Sequence, residues 1–375
     1  MSSFNNPEIY RHRRDKLKFE LNKCSLENYT ILKYENIYYL TGFFGKDSNS
    51  ILVISDKKTI LLVNFIYYED ARFSVKGSDI EVVLCEGDRI KKTAELINKS
   101  KSKKIAIENS GIDHLSFVKF EEIFKKFGKS LISINGIIES LRSVKDEYEL
   151  ENIRNACRIT DLAFKKVFKS SYEKISKFSE LSLGIEIERL IIKNGGDGSS
   201  FDFVIASGTS SSKPHYSSGH LKTGEDILLM DIGAIYDRYC SDITRTIFLK
   251  NIPSNSKLRQ IYNIVLEAQQ MAIEACREGI RCDELDSIAR KHIERYGYGE
   301  KFGHSLGHGV GLEVHEEPAV TSRNKTVLKE NMVVTIEPGI YIPGLGGVRI
   351  EDMVIVKKNG CENLYKSKKD FTFIS

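Results

Sequence analysis

Proline is scarce in this chain, six in 375 residues, and no apolar run approaches the ~20 residues that a membrane-spanning helix requires. The opening segment, MSSFNNPEIYRHRR, has no apolar stretch of the kind that begins a secretory signal. A cytoplasmic protein with no membrane partner is the expectation. The seven cysteines are odd in number and include no CxxC pair, which argues against a disulfide framework and for reduced, structural thiols. Cys240 lies two residues from Asp242, on the same strand face, and reads as a small packing residue there. An excess of one charge is also missing. With 56 basic and 52 acidic residues the net charge is +4, too balanced to argue for nucleic acid, and lysine runs such as Lys99–Lys104 read as solvated surface.

What is present is an ordinary globular composition, 41% hydrophobic and 29% charged, in a chain long enough for two domains. Residues 1 to about 135 alternate short β-branched runs with helical patterns. The candidate strands are Tyr29–Lys33, Ile51–Ser55, Thr59–Asn64, Ile80–Leu84, Lys104–Glu108 and Leu131–Ile134. Helical patterns fall near Glu8–Lys23, Arg89–Lys99 and Leu115–Phe127, so this part reads as an α/β domain. It has no phosphate loop, since its glycines are single or in the short run Gly42–Gly45. The run Ser143–Asp146 resembles a helix cap, and Leu150, Ile153, Cys157, Phe164 and Val167 then follow helical spacing. These signals divide the chain at about residue 138, into domains 1–138 and 139–375.

The second part echoes itself. Helical stretches Glu147–Lys169 and Ser179–Asn194 are answered by Lys257–Glu278 and Asp283–Tyr296. The segment MDIGAIY at Met230–Tyr236 is answered by IEPGIY at Ile336–Tyr341. Each half contributes a carboxylate pair. Folding 231–242 as a hairpin about Tyr236–Asp237 sets Asp231 opposite Asp242, and folding 337–351 about Gly344 sets Glu337 opposite Glu351. Cross-strand partners have Cβ atoms ~4.5–5.5 Å apart, close enough to share ions. The carboxylates lie in otherwise apolar strands, where an unpaired charge is costly. With His308 they make a five-residue donor set that suits two divalent ions of the Mn²⁺, Co²⁺, Fe²⁺ or catalytic Zn²⁺ type. Hydroxide attack on a carbonyl or phosphoryl centre is the chemistry such a pair supports.

Three histidines crowd GHSLGHGVGLEVHEEP at Gly303–Pro318, where four glycines disfavour a helix. In an extended chain His304 and His308 point the same way, which brings His304 toward a substrate beside the ions. His315 and His215 are candidates to polarise a carbonyl or hold its oxyanion. Arg349 shares a strand face with Glu351 and is a candidate to orient its carboxylate. His12, His114, His220 and His292 read as surface or packing residues.

These blocks, Asp231–Thr246, Gly307–Pro318 and Glu337–Asp352, resemble the signatures of the superfamily that contains aminopeptidase P, prolidase, methionine aminopeptidase and creatinase. The YLTGF segment at Tyr39–Phe43 is similar to the creatinase-type N-terminal domain, which points to the proline-peptide branch. The resemblance implies an α/β creatinase-like N-terminal domain followed by an α+β pita-bread domain with an internal pseudo-twofold repeat. It implies Asp231, Asp242, His308, Glu337 and Glu351 as ligands of two divalent ions, Mn²⁺ first, with Co²⁺ or Zn²⁺ as alternatives. Glu337 would also shuttle a proton, His215 and His315 would contact the scissile carbonyl or oxyanion, His304 would meet the prolyl substrate, and Arg349 would support the site. The implied reaction is hydrolysis of the bond preceding proline in a peptide, by a homodimer. Two departures stand out. Tyr216 follows His215 where some members carry a second histidine, and Ala319 stands where compact prolidases resemble H-E-x-P-R. Without that arginine to take a dipeptide's terminal carboxylate, the expectation is an aminopeptidase, with the dipeptidase as the alternative. A metal-free creatinase-like hydrolase and a non-catalytic binding protein fit the intact ligand set less well.

Overall fold

The computed structural model describes residues 7–55, 57–98, 100, 102–249 and 256–369. Within the Lys99–Lys104 run, Lys99 and Lys101 therefore lie outside the described residues. Two compact units divide the chain, Met1–Arg142 and Ser143–Ser375. The division falls a few residues beyond position 138 because Ile137–Ser143 is itself a helix. Ile138 is buried in it, and Arg142 Nη1 donates to Asn36 Oδ1 at 2.7 Å, which ties this helix to the first unit.

Among its described residues the first unit holds a six-stranded mixed sheet in the order Ile80–Leu84, Thr59–Val63, Ile51–Ser55, Asn28–Ile31, Lys104–Glu108, Ser130–Ile134. These are the six segments that β-branched runs mark in the sequence. The amphipathic helices Pro7–Lys23, Arg89–Asn98 and His114–Lys126 also form where the periodicity puts them. Three helices carry no such signal, Tyr34–Thr41, Tyr68–Ser74 and Ile137–Ser143. The first is buried from Glu35 through Thr41, so it has no polar face to generate a period.

In the second unit, Asp146 caps the helix Glu147–Phe168 through a reciprocal box with Glu149. Helices Glu180–Lys193, Lys257–Ala275 and Cys282–Arg295 complete the two helical pairs of the internal echo. The echo extends to the sheets. Strands Val204–Ser207, Ile227–Ile232 and Ile243–Phe248 lie side by side in chain order. So do Gly307–Gly309, Val333–Ile336 and Asp352–Lys357, with Glu316–Val320 and Gly360–Asn363 added at the two edges. Ile261, Val265 and Leu285 of the later helices pack with Val334 and Val354 in one buried cluster, which fixes helices against sheet.

The two hairpins register differently. In the second, Gly339 pairs with Arg349 and Ile336 with Asp352, so Glu337 and Glu351 face each other in the gap between two ladders, as symmetry about Gly344 requires. In the first, Ile235 pairs with Cys240 and Asp231 with Thr244, which corrects the expected pairing of Asp231 with Asp242. The turn is Asp237–Arg238, with φ of 46° and 74°, so the axis sits one residue later than the sequence suggests. Two successive positive φ values are those of a type I′ turn, which matches the twist of the flanking strands. Asp242 thus lies diagonal to Asp231 and still shares its face. The ladder opens between them at Gly233, where a Cβ would sit 2.0 Å from the Ser241 carbonyl oxygen.

Gly233→Ala is therefore expected to force the hairpin apart and destabilise the protein by about 1–3 kcal/mol. A lower urea midpoint than wild type checks this, and an unchanged midpoint would contradict the close approach.

Candidate metal centre

All five predicted ligands come from the two hairpins and the Gly307–Gly309 strand, whose lack of side chains lets the backbones close up. A Cβ on Gly307 would lie 2.0 Å from the Thr335 carbonyl oxygen. The hairpins are stitched by Glu351 N–H donating to Thr244 O at 3.1 Å and by Thr246 Oγ1 donating to Arg349 O at 2.9 Å. Asp242, His308 and Glu351 each offer a ligand atom within 4.8 Å of the others. His308 Nε2 lies 3.2 Å from Glu337 Oε1 and 3.6 Å from Asp242 Oδ2. Its Nδ1 donates to the Gly309 carbonyl at 3.1 Å and turns Nε2 toward the carboxylates; burial opposes its protonation, but the Glu337 hydrogen bond and charge raise its pKa.

The electrostatics are those of carboxylates crowded together out of water. Burial, and then the charges of Glu351, Asp231 and Glu337, push the Asp242 carboxyl well above the usual carboxylate range. Burial and the charges of Glu337 and Asp231 do the same to Glu351. Burial opposes ionisation of Glu337 too, but the His308 hydrogen bond and charge, with His304 and Arg349 behind them, hold it down to about 2. Asp231 Oδ1 and Glu351 Oε1 are buried and accept no hydrogen bond. Orphaned carboxylate oxygens are rare because each costs its full desolvation penalty. Oxygens of this kind, beside the Nε2 of an imidazole, fit a divalent metal site.

The other oxygens are held by side chains that the sequence reading missed. Thr244 Oγ1 donates to Glu351 Oε2 at 2.7 Å, and Thr335 Oγ1 donates to Glu337 Oε1 at 3.1 Å. Each threonine sits on the same face as a ligand two residues away, a signal that alternation carries. Arg349 reaches the Glu351 carboxylate only through Thr244, whose hydroxyl accepts from the arginine Nε and donates to Glu351 Oε2. Its guanidinium crosses to the first hairpin, pairing with Asp231 through Nη2 and with Thr244 Oγ1 through Nε at 2.9 Å.

Tyr341 completes this arrangement and fixes a direction of donation. Arg349 Nη1 can only donate, so the Tyr341 oxygen accepts at 2.9 Å and its single proton goes to His304 Nε2 at 3.0 Å. His304 Nδ1 then carries the ring proton and donates to Ser305 O at 2.8 Å. Burial lowers the His304 pKa, in keeping with this neutral tautomer. Neither ring nitrogen of His304 is left for a further ligand. Gly339 and Gly347 make the room, since a Cβ on either would come within 2.6 Å of the Tyr341 side chain.

His315 and His215 are both exposed. The His315 ring lies 4.3 Å from that of His308, between centroids. His215 lines a cavity of about 500 Å³ together with Leu181, Ile185, Phe201, Phe203 and Tyr216. Tyr216 donates to the buried Glu180 at 2.8 Å. Cys240 is buried against Leu312 and is a packing residue. Arg323, the nearest arginine after position 319, is exposed.

Comparison with known proteins brings the two units and this centre together. Residues 151–358 match the family described as Metallopeptidase family M24, and residues 13–144 match the Creatinase/Prolidase N-terminal domain. The chain is 41% identical over 355 residues to the Xaa-Pro dipeptidase of Pyrococcus horikoshii, covering 93% of this chain and 95% of that one. Among solved structures it is similar to an Xaa-Pro dipeptidase from Bacillus anthracis, with TM-score 0.89 and 35% identity over 97% of this chain and 99% of that one. It is also similar to an X-Pro aminopeptidase from Thermotoga maritima, with TM-score 0.86 and 33% identity over 96% and 99%.

Two outcomes follow. Because burial and neighbouring carboxylates raise the Asp242 and Glu351 carboxyls, cation binding should expel protons from this pair. Calorimetry of Mn²⁺ binding in buffers of different ionisation enthalpy should show proton release that shrinks as pH rises. Release that is absent, or that grows with pH, would contradict the carboxylate cage. Arg349→Lys, which keeps the charge but loses the forked geometry, should weaken metal affinity by ~10–100-fold, the usual effect of losing a group that orients a ligand.

Proposed function

This chain belongs to metallopeptidase family M24, and from that premise we propose that it is an Xaa-Pro peptidase, hydrolysing the bond between an N-terminal residue and a following proline. The observation that carries the proposal is the buried cluster of Asp242, His308 and Glu351, with orphaned oxygens on Glu351 and on neighbouring Asp231. It is supported by relatives along nearly the whole chain whose names specify Xaa-Pro substrates.

In this reading Asp231, Asp242, His308, Glu337 and Glu351 hold two divalent ions, Mn²⁺ first, with Co²⁺ or Zn²⁺ as alternatives. Bound ions supply an activated water and polarise the scissile carbonyl. Glu337 takes the proton of the attacking water at its carboxylate and passes it to the prolyl nitrogen as that nitrogen leaves. His215 and His315, both exposed, meet the carbonyl oxygen and its developing charge. His304 has both nitrogens engaged and presents its ring, rather than a hydrogen bond, to the prolyl group. Arg349 fixes Asp231.

An aminopeptidase acting on peptides longer than two residues is the preferred form, because Ala319 offers no charge to a dipeptide's terminal carboxylate. The dipeptidase is the alternative, favoured by the names of the Pyrococcus horikoshii and Bacillus anthracis relatives. Among the described residues no helix is long and apolar enough to cross a membrane. A cytoplasmic homodimer acting on proline-containing peptides completes the proposal.

Metal-stripped protein, with Mn²⁺ restored, is to be assayed on a Xaa-Pro dipeptide and the matched Xaa-Pro-Xaa tripeptide. Faster tripeptide cleavage is expected. Dipeptide preference would make it a prolidase, and failure to cleave either with metal bound would overturn the enzymatic reading.

A further inference from the structure

One buried ion pair of the second unit takes no part in the centre described above. Lys145 Nζ lies 3.2 Å from Glu316 Oε2, with side-chain exposures of 0% and 6%. A pair so deep is a weak source of net stability, since desolvating two charges offsets most of their attraction. Its geometry, by contrast, is tightly specified at both ends.

Lys145 stands on a fixed post. Its backbone N–H donates to Asn331 O at 3.0 Å, Val144 before it bridges to Met332, and Asp146 after it caps the helix Glu147–Phe168. Glu316 is equally constrained. Its Oε1 accepts from Glu313 N–H at 3.0 Å, and its Cα is paired with Gly309, the residue after His308. Gly311 leaves space for the carboxylate, because a Cβ there would sit 2.6 Å from Oε2. Gly311 is itself tied back, its carbonyl accepting from Cys240 N–H at 2.8 Å, two residues before Asp242. The loop 311–316 is therefore closed around the Glu316 carboxylate and anchored to Lys145.

His315 is the residue next to Glu316. His315 closes the bend that leads into the strand Glu316–Val320, so anchoring Glu316 to Lys145 fixes the backbone from which the His315 ring leaves, 4.3 Å from the His308 ring. We propose that Lys145 and Glu316 are positioning residues, a buried strut that sets His315 against the reacting carbonyl. The proposal rests on the Xaa-Pro peptidase reading for the role of His315. The orientation of its ring is testable without that reading.

The test uses full-length protein carrying K145M/E316Q, which removes both charges together and leaves no lone buried charge behind. Metal affinity should match wild type, because no ligand is touched. In the metal-free protein, the nuclear Overhauser contact between the His308 and His315 rings should disappear. On an Xaa-Pro-Xaa peptide, kcat should fall by at least tenfold with KM within about twofold. Lys145→Arg should recover most of the turnover that Lys145→Met loses. The deciding measurement is a double-mutant cycle with His315→Ala. If the strut acts through His315, K145M/E316Q/H315A is no slower than H315A alone, whereas a general structural defect multiplies the two losses. A retained ring contact, unchanged kcat, or multiplied losses would each overturn the proposal. If K145M/E316Q does not fold, E316Q alone carries the same measurements. A wild-type protein inactive on both peptides refutes the peptidase reading, while the ring contact still decides the strut.

Discussion

Like charges confined to apolar strands are the constraint around which the second domain is arranged. Four carboxylates converge where water is largely excluded, and burial, with their mutual repulsion added to it, pushes the Asp242 and Glu351 carboxyls above their normal titration range. The fold answers with fixed donors. Two threonines, Thr244 and Thr335, and one guanidinium, Arg349, each occupy a carboxylate oxygen. The oxygens left over on Asp231 and Glu351 accept nothing from the protein. Hydrogen bonds that hold one oxygen while the other waits orient a ligand without saturating it. The same need explains the glycines, which are placed where backbone must approach backbone so that hairpins from both halves reach one point.

The chain Arg349–Tyr341–His304–Ser305 has a single direction of donation, fixed at one end by a residue that cannot accept. Protonating His304 would pit its Nε2–H against the Tyr341 hydroxyl proton. The bond that orients the histidine thus also opposes its charging. A neutral, immobile ring beside four carboxylates keeps a competing cation out of the site.

Much of this was legible in the sequence, and the exceptions have local causes. The six strands of the first unit declare themselves by β-branched runs, and the four principal helices of the second by their spacing and caps. The Tyr34–Thr41 helix is silent because it is buried all round. The Glu337–Glu351 hairpin registers as its glycines suggest, whereas the Asp231–Asp242 hairpin turns one residue later. Nothing in the tyrosine-flanked turn says that Asp237 and Arg238 both adopt left-handed backbone. The error leaves the ligand assignment intact, since diagonal neighbours share a face, but it hides Thr244 as the true partner of Asp231. Tyr341 escapes for a different reason. It reads as one of several apolar strand residues, and only the missing side chains of Gly339 and Gly347 reveal that a ring is seated there. The choice between dipeptide and longer substrates rests on Ala319, where the sequence departs from the compact prolidases while similar proteins carry both names.

The proposed ligand set spans the chain from Asp231 to Glu351, and neither half of the repeat holds it alone. During synthesis the first aspartates emerge well before the last glutamate, and a ribosome-bound chain that ends between them has only part of a cage. On that assignment, divalent ions would find their full coordination only on a chain whose second half has been made and docked.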